Sequence, residues 1–455
     1  MTEPDVDGVD EALALVGRPP REPAPGSRRD PGGRHSSGQA APSPGAPEDH
    51  DTPWARARDL AAHAGQNTPV RTCRTVLGSA LGAVLAEPLA ALSDLPSFDS
   101  SAMDGWAVAG PGPWAIREGD SVLAGHGESP ALPDGAAVRI ATGARVPPGA
   151  TAVVRSEHAR ADTEGRHLHA LRDVVHGQDI RPRGQECRAG DPLLPAASVV
   201  TPAVLGLAAA AGYDELPTVD RPQVEVLVLG DELLTSGVPH EGLIRDALGP
   251  MLAPWFRALG VDVLATRRIG DDAEALYAAV TGTRADLVVT TGGTASGPVD
   301  HVHPVLRRAG AELLVDGVRV RPGHPMLLAR LAPGRHLVGL PGNPLAAVSG
   351  LLTLAEPLLR AATGRPAPAP WSAPVSDAVQ GHPYDTRLVP VVQRSGQAVP
   401  LHYTGPAMLR GLAAADGLAV IPPGGARPGD MLELLGLPWK AALSTVAAAP
   451  SRGFT

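Results

Sequence analysis

Aromatic side chains make up only 3% of this 455-residue chain. Its cores must therefore be aliphatic and closely packed, and a hydrophobic content of 43% is ample for that. Cysteine is scarcer still, with Cys73 and Cys187 the only two. Two thiols make no disulfide framework, and neither stands at a metal-ligand spacing, so a reducing compartment is expected. The start, MTEPDVDGVDEALALV, is acidic and lacks the basic opening and apolar core of a secretory signal. No uncharged apolar run reaches the roughly 18 residues that a membrane span requires. A net charge of −9 argues against nucleic acid or an anionic membrane as partner, though not against a local anion pocket. The expected location is cytoplasmic.

Glycine (53) and proline (49) are what the chain has in plenty, which suits a tail and many loops better than a helical bundle. The length sets a prior of roughly three or four domains. Residues 1–52 are rich in Pro, Gly, Ser, Asp and Arg and poor in large apolar side chains. They cannot offset their ordering entropy, so a disordered tail is expected. Helical patterning begins at Trp54 with WARARDLAAHAG, continues in TVLGSALGAVLAEPL, and returns in TPAVLGLAAAAG. Residues 53–92 and 181–219 are thus expected to form one helical layer, split in sequence. Between them, residues 93–180 break into short β-like runs (WAVAG, AAVRIAT, TAVVRSE) and predict a small β-rich domain.

Over residues 220–364 strand and helix alternate. VEVLVLG, VDVLATRRI, ADLVVT and HLVGL read as strands. Helices are expected from Ile244 to Leu259, despite Pro250 and Pro254, and over DDAEALYAAVTG, VDHVHPVLRRAG and LAAVSGLLTLAEPLLRAAT. Asp316-Gly317 suits a type I′ hairpin turn. Such alternation predicts a parallel sheet covered on both faces. Residues 365–455 hold short strands and read as a further small β domain. The fold class expected is multidomain α/β.

Three polar loops follow predicted strands of the α/β section: Gly230-Asp231-Glu232, the run from Gly292-Gly293 to Gly297, and Gly342-Asn343-Pro344. Ligands of open α/β sheets sit outside the carboxyl ends of strands, so these loops should converge. Gly292 and Gly293 would let backbone N–H groups approach an anion, although a double glycine also makes a plain tight turn. The segment has neither a Walker A motif nor a dinucleotide fingerprint. Glu232, Asp271 or Asp272, and Asp300 could hold Mg²⁺ against phosphate oxygens; Asp272 and Asp300 read equally as helix N-caps. Arg267, Arg268, Arg319 and Arg321 could neutralise a polyanion or merely face solvent. Upstream, Asp99 and Asp104 share a Gly/Ser-rich loop, and Thr142 follows a strand; these could be turn residues alone.

Taken together, the motifs resemble one family. FDSSAMDGWAV resembles the FDNSAMDGYA signature of the molybdopterin molybdenumtransferases, the family of the gephyrin E domain. RIATGARVPPGATAVV, RGQE, LGDELL, GLIRDALGPML, TTGGTASGPVDHV, RPGHP and GLPGNP follow in the family's order. The resemblance implies a helical dimerisation layer, an inserted β domain, a molybdopterin-binding α/β domain and a C-terminal β domain. It implies Mg²⁺-dependent insertion of molybdate into adenylylated molybdopterin with release of AMP. The site would be shared across a homodimer, with a molybdopterin adenylyltransferase as a further partner.

Carried over residue by residue, the catalytic set is Asp99, Thr142, Glu232 and Asp300. Ser101, Asp104, Gly230, Asp231, Asp246, Gly292, Gly293, Arg321, Gly323, Gly342 and Asn343 are the ligand-binding set. Glu232, Asp271 and Asp300 are the implied metal ligands. The chain departs from the family pattern at Ser100, Trp106, Cys187, Ala247, Leu248, Ala295 and Ala346, and Arg321 and His324 replace the lysines of KPGKP. An Arg keeps charge but changes geometry, and a His is mostly neutral at pH 7. The polar lining is thinned while the scaffold is kept. Two alternatives follow: a relative that binds pterin or molybdate without turnover, and an adenylyltransferase, whose TTGGTG loop resembles TTGGTASG.

Overall fold

The computed structural model describes residues 51–117, 122, 130–294, 301–366, 368–369 and 371–439. The expected tail over 1–52 lies outside them except for Asp51 and Thr52. Those two are placed: Thr52–Pro53 pairs in parallel with Val318-Arg319. The chain divides into two compact units, Thr72–Val219 and the remainder.

In the larger unit, helix α1 (Trp54–Gln66) precedes a run of alternating elements. These are β1 (Gln223–Leu229), α2 (Leu248–Ala258), β2 (Asp262–Ile269), α3 (Ala273–Gly282), β3 (Leu287–Thr291) and α4 (Val302–Arg308). Then come β4 (Glu312–Asp316), β5 (Val318–Arg321), β6 (Leu327–Ala332) and β7 (Arg335–Leu340). Helix α5 (Pro344–Gly350) continues through Leu351–Ala355 into α6 (Glu356–Ala362). The central sheet has the order β2-β1-β3-β7-β6-β4, parallel through β7 and antiparallel beyond it. Strand β1 is a nearly unbroken apolar run because both sheet faces are covered. Val224, Val226 and Val228 enter one core with Trp255 and Phe256, while Leu227 and Leu229 enter the other with Leu276 and Leu306. That alternation is the period-2 pleat. The stretch Pro344–Ala362 is long and apolar enough to cross a membrane, but 78% of that window is buried inside the protein, where it serves as the core helix.

Helix α1 packs on this core helix. Trp54 Nε1 donates to Thr353 Oγ1 at 3.0 Å, and Gly65 lies against the Leu358 carbonyl, where a Cβ would not fit. The helical layer expected over 53–92 and 181–219 is therefore corrected. Its first helix belongs to the α/β unit. The rest is mostly extended: Thr72–Val76 pairs with Glu215–Val219 and Leu89–Ala90 with Pro192–Leu194, leaving only Pro202–Ala210 as α-helix. The physical reason lies in TVLGSALGAVLAEPL. Gly82 sits at φ +75°, Pro88 follows, and the apolar side chains instead gather in a small cluster around Leu85, Leu89 and Leu216.

Two further expectations are corrected. The helix expected from Ile244 starts at Leu248, because Ile244–Arg245 pairs with Leu233–Leu234. Asp316-Gly317 is not a hairpin, although Gly317 has the positive φ such a turn needs. Strand β4 pairs with β6, while β5 leaves to pair with Thr52–Pro53 and with Thr386–Arg394. Burial of Val318 and Val320 in the larger core accompanies that departure. The C-terminal strands Thr386–Arg394, Gly417–Ile421, Met431–Gly436 and Ser372–Pro374 thus share one sheet with β5.

The Thr72–Val219 unit contains a six-stranded sheet. Its order is Ala152–Arg155, Gly105–Val108, Ala136–Ile140, Trp114–Ile116, His167–Ala170, Ala159–Ala161. The β-rich character expected over 93–180 matches this sheet.

Candidate functional site

The 2-1-3 start of the sheet order makes a switch point, where the connections leaving β1 and entering β3 run to opposite sides. The loops after β1, β3 and β7 meet there. Gly292 N–H donates to the Leu340 carbonyl at 2.8 Å. A Cβ on Gly342 would come within 3.6 Å of the Gly292 α-carbon. Gly292 and Gly293 stand at φ +81° and +63°, a left-handed pair that side chains disfavour. Below them Thr290 is fully buried, with no partner for its hydroxyl among the described residues.

The predicted carboxylates are placed differently from one another. The Glu232 side chain folds against Gly230, and the Asp231 carboxylate leans over Gly270 toward the Asp271 N–H at 3.4 Å. Asp272 caps α3, accepting from the Glu274 and Ala275 N–H groups at 2.8 and 3.1 Å. Asp246 accepts from Gly249 N–H at 2.9 Å in the first turn of α2 and lies 3.9 Å from Arg268. It acts here as a helix brace. Ala295 and Asp300 lie outside the described residues. Among the described residues no three His, Cys, Asp or Glu side chains cluster to hold a metal ion. Of the implied Mg²⁺ ligands, Glu232 and Asp271 belong to the described residues and Asp300 does not, and the chemistry below rests on the chain's own groups.

Of the four arginines, Arg267 pairs with the buried Glu225. Arg319 has a buried Nε without a partner among the described residues. Arg321 lines a 460 Å³ cavity with Gly323, His324, Asn343, Arg387 and Thr404. None of the residues lining it is acidic. Arg387 and Thr404 escaped the sequence reading. They arrive because Val320-Arg321 pairs in parallel with Thr386-Arg387, a long-range register with no local signal; the RPGHP loop was the only hint. His324 Nε2 lies 2.8 Å from Asp51 Oδ2. Asn343 precedes α5, with no cap bond from its side chain.

The Thr72–Val219 unit carries the other candidates. Asp99, Asp104 and Thr142 are all exposed. Asp104 Oδ1 accepts from the Thr142 N–H at 2.8 Å, and Asp99 Oδ1 from the Arg183 N–H at 2.7 Å. Arg183 also grips Asp94, whose carboxyl is held below its ordinary range by the Ala189 N–H and then by Arg183. Ser101, expected as a ligand contact, is instead fully buried, and its hydroxyl donates to the Met103 carbonyl at 2.6 Å. It shapes the turn and is spent there. Glu186 is exposed beside buried Cys187. Burial, reinforced by Glu186, pushes the Cys187 thiol up, which keeps it protonated and inert. A thiol-disulfide reagent at pH 7.5 should thus titrate one cysteine per native chain, the exposed Cys73, and two in denaturant. Two fast-reacting thiols in the native protein would contradict this burial.

Residues 52–212 match the MoeA N-terminal region (domain I and II), 225–361 a probable molybdopterin binding domain, and 372–436 the MoeA C-terminal region (domain IV). The chain is 37% identical over 377 residues to molybdopterin molybdenumtransferase 2 of Mycobacterium tuberculosis, covering 78% of this chain and 92% of the relative. It is 31% identical over 307 residues to the molybdopterin molybdenumtransferase of Staphylococcus aureus, covering 65% and 72%. Among solved structures, the molybdopterin biosynthesis MoeA protein of Pyrococcus horikosii superposes with a TM-score of 0.69 at 25% identity, over 85% of this chain and 99% of that one. With its strand-end loops, its three matched regions and these relatives, the chain belongs to the molybdopterin molybdenumtransferase family.

Proposed function

We propose that this protein inserts molybdate into adenylylated molybdopterin, releasing AMP in molybdenum cofactor biosynthesis in the cytoplasm. The observation that carries this proposal is the convergence of the β1, β3 and β7 loops beside a cavity lined by basic and no acidic residues. The Gly292-Gly293 backbone suits the close approach of a phosphate. Arg321 and Arg387 supply charge for the pyrophosphate, and fixed donors there stabilise the negative charge that grows as AMP leaves. Glu232 and Asp231 border the same loops. A second copy of the chain would contribute Asp99, Asp104 and Thr142, with molybdate near Thr142.

A second reading, binding without turnover, draws on the thinned lining: Ala247 offers no cap to α2, and Ser101 is sequestered. One assay separates these. Purified protein is given pre-adenylylated molybdopterin with and without molybdate, and separately molybdopterin with Mg-ATP. Molybdate-dependent AMP release is expected. Tight binding without AMP would support the second reading, and adenylylation from ATP would make the protein an adenylyltransferase instead.

A further inference from the structure

The cavity wall holds a like-charged pair in register. Arg321 and Arg387 are neighbours on adjacent parallel strands, both line the cavity, and like charges placed so repel. Behind them lies Asp385, a carboxylate only 4% exposed, which a protein does not bury without partners. Arg321 Nε donates to Asp385 Oδ2 at 2.8 Å. The His382 ring lies 3.2 Å from the same oxygen. However, its Nδ1 already accepts from the Asp385 and Tyr384 N–H groups at 3.0 and 3.3 Å, so it has no proton there to give. Among the described residues, Arg321 is therefore the side chain that donates to the Asp385 carboxylate. A guanidinium has five N–H donors, and this bond uses one.

We propose that Asp385 is a positioning residue: it clamps the Nε edge of Arg321, so that the other nitrogens are preset for a phosphate or other oxyanion group of the substrate. This rests on the proposed function, in which the cavity takes the anionic part of the ligand. Clamping limits the rotamer freedom that a long cationic side chain would otherwise lose on binding. It also offsets the Arg321–Arg387 repulsion while the cavity is empty.

The test uses inorganic pyrophosphate as probe, titrated calorimetrically into the full chain, with thermal melts to confirm folding. Arg321→Ala should weaken binding about 10- to 30-fold and Asp385→Ala about tenfold. The double variant should be within about twofold of Arg321→Ala, because Asp385 acts only through Arg321. Asp385→Glu should restore at least part of the affinity. If Asp385→Ala fails to fold, Asp385→Asn carries the test: about a threefold loss beside Arg321 and none beside Arg321→Ala. Wild-type affinity in Asp385→Ala, or losses that multiply in the double variant, overturns the positioning role. Unchanged affinity in Arg321→Ala itself removes the cavity as the anion site, and the proposal falls with that reading.

Discussion

Replacing Arg321 and Arg387 together by alanine should cut kcat/KM for AMP release from adenylylated molybdopterin by at least about a hundredfold. Each charge-assisted hydrogen bond to an anion contributes about 1.5–3 kcal/mol, and about 1.4 kcal/mol is a factor of ten. Two such losses span two to four decades, and the lower end allows for solvent at the cavity mouth, since the Arg321 side chain is 48% exposed. If the arginines grip the ligand equally before and during reaction, KM rises and kcat holds. If they grip the leaving phosphate harder in the transition state, kcat falls as well. Arg330→Ala, a surface pair with Glu312, serves as control and should change neither. A double variant with wild-type kcat/KM would remove the cavity from the reaction.

The largest stability effect is expected at Trp54. Its ring is 7% exposed in the main core, and Trp54→Ala should lower the unfolding free energy by about 3–5 kcal/mol. Part of that is the orphaned hydroxyl of Thr353, itself fully buried. Trp54→Phe keeps most of the apolar volume and loses the donor, so about 1–3 kcal/mol is expected from the unpaired group. Urea unfolding at constant m-value reads both. A loss below about 1 kcal/mol for Trp54→Ala would mean that α1 is not docked on the core helix as described.

How much of this could be read in advance depends on the range of the interaction. The strand-end loops were legible because apolar runs ending in glycine mark the β1 and β3 termini, and sheet topology does the rest. The Asp272 cap was legible for the same reason: it is local. The helical layer was misread because apolar spacing in TVLGSALGAVLAEPL mimics a helix, while Gly82 and Pro88, which forbid one, weigh little in a periodicity count. The placement of α1 could not be read at all, since Gly65 against Leu358 is a contact between distant segments. Arg387 and Asp385 were missed likewise. Only the parallel pairing of β5 with Thr386–Arg394 brings them to the RPGHP loop, and nothing near residue 385 announces it.

The anionic part of an adenylylated pterin is expected to bind at the β1, β3 and β7 loops and the adjoining basic cavity. A crystal structure of the protein soaked with adenylylated molybdopterin tests it most directly. Phosphate density over Gly292-Gly293, within hydrogen-bond distance of Arg321 or Arg387, is the predicted result. Ligand density elsewhere, with these loops and the cavity unoccupied at saturating ligand, would contradict it.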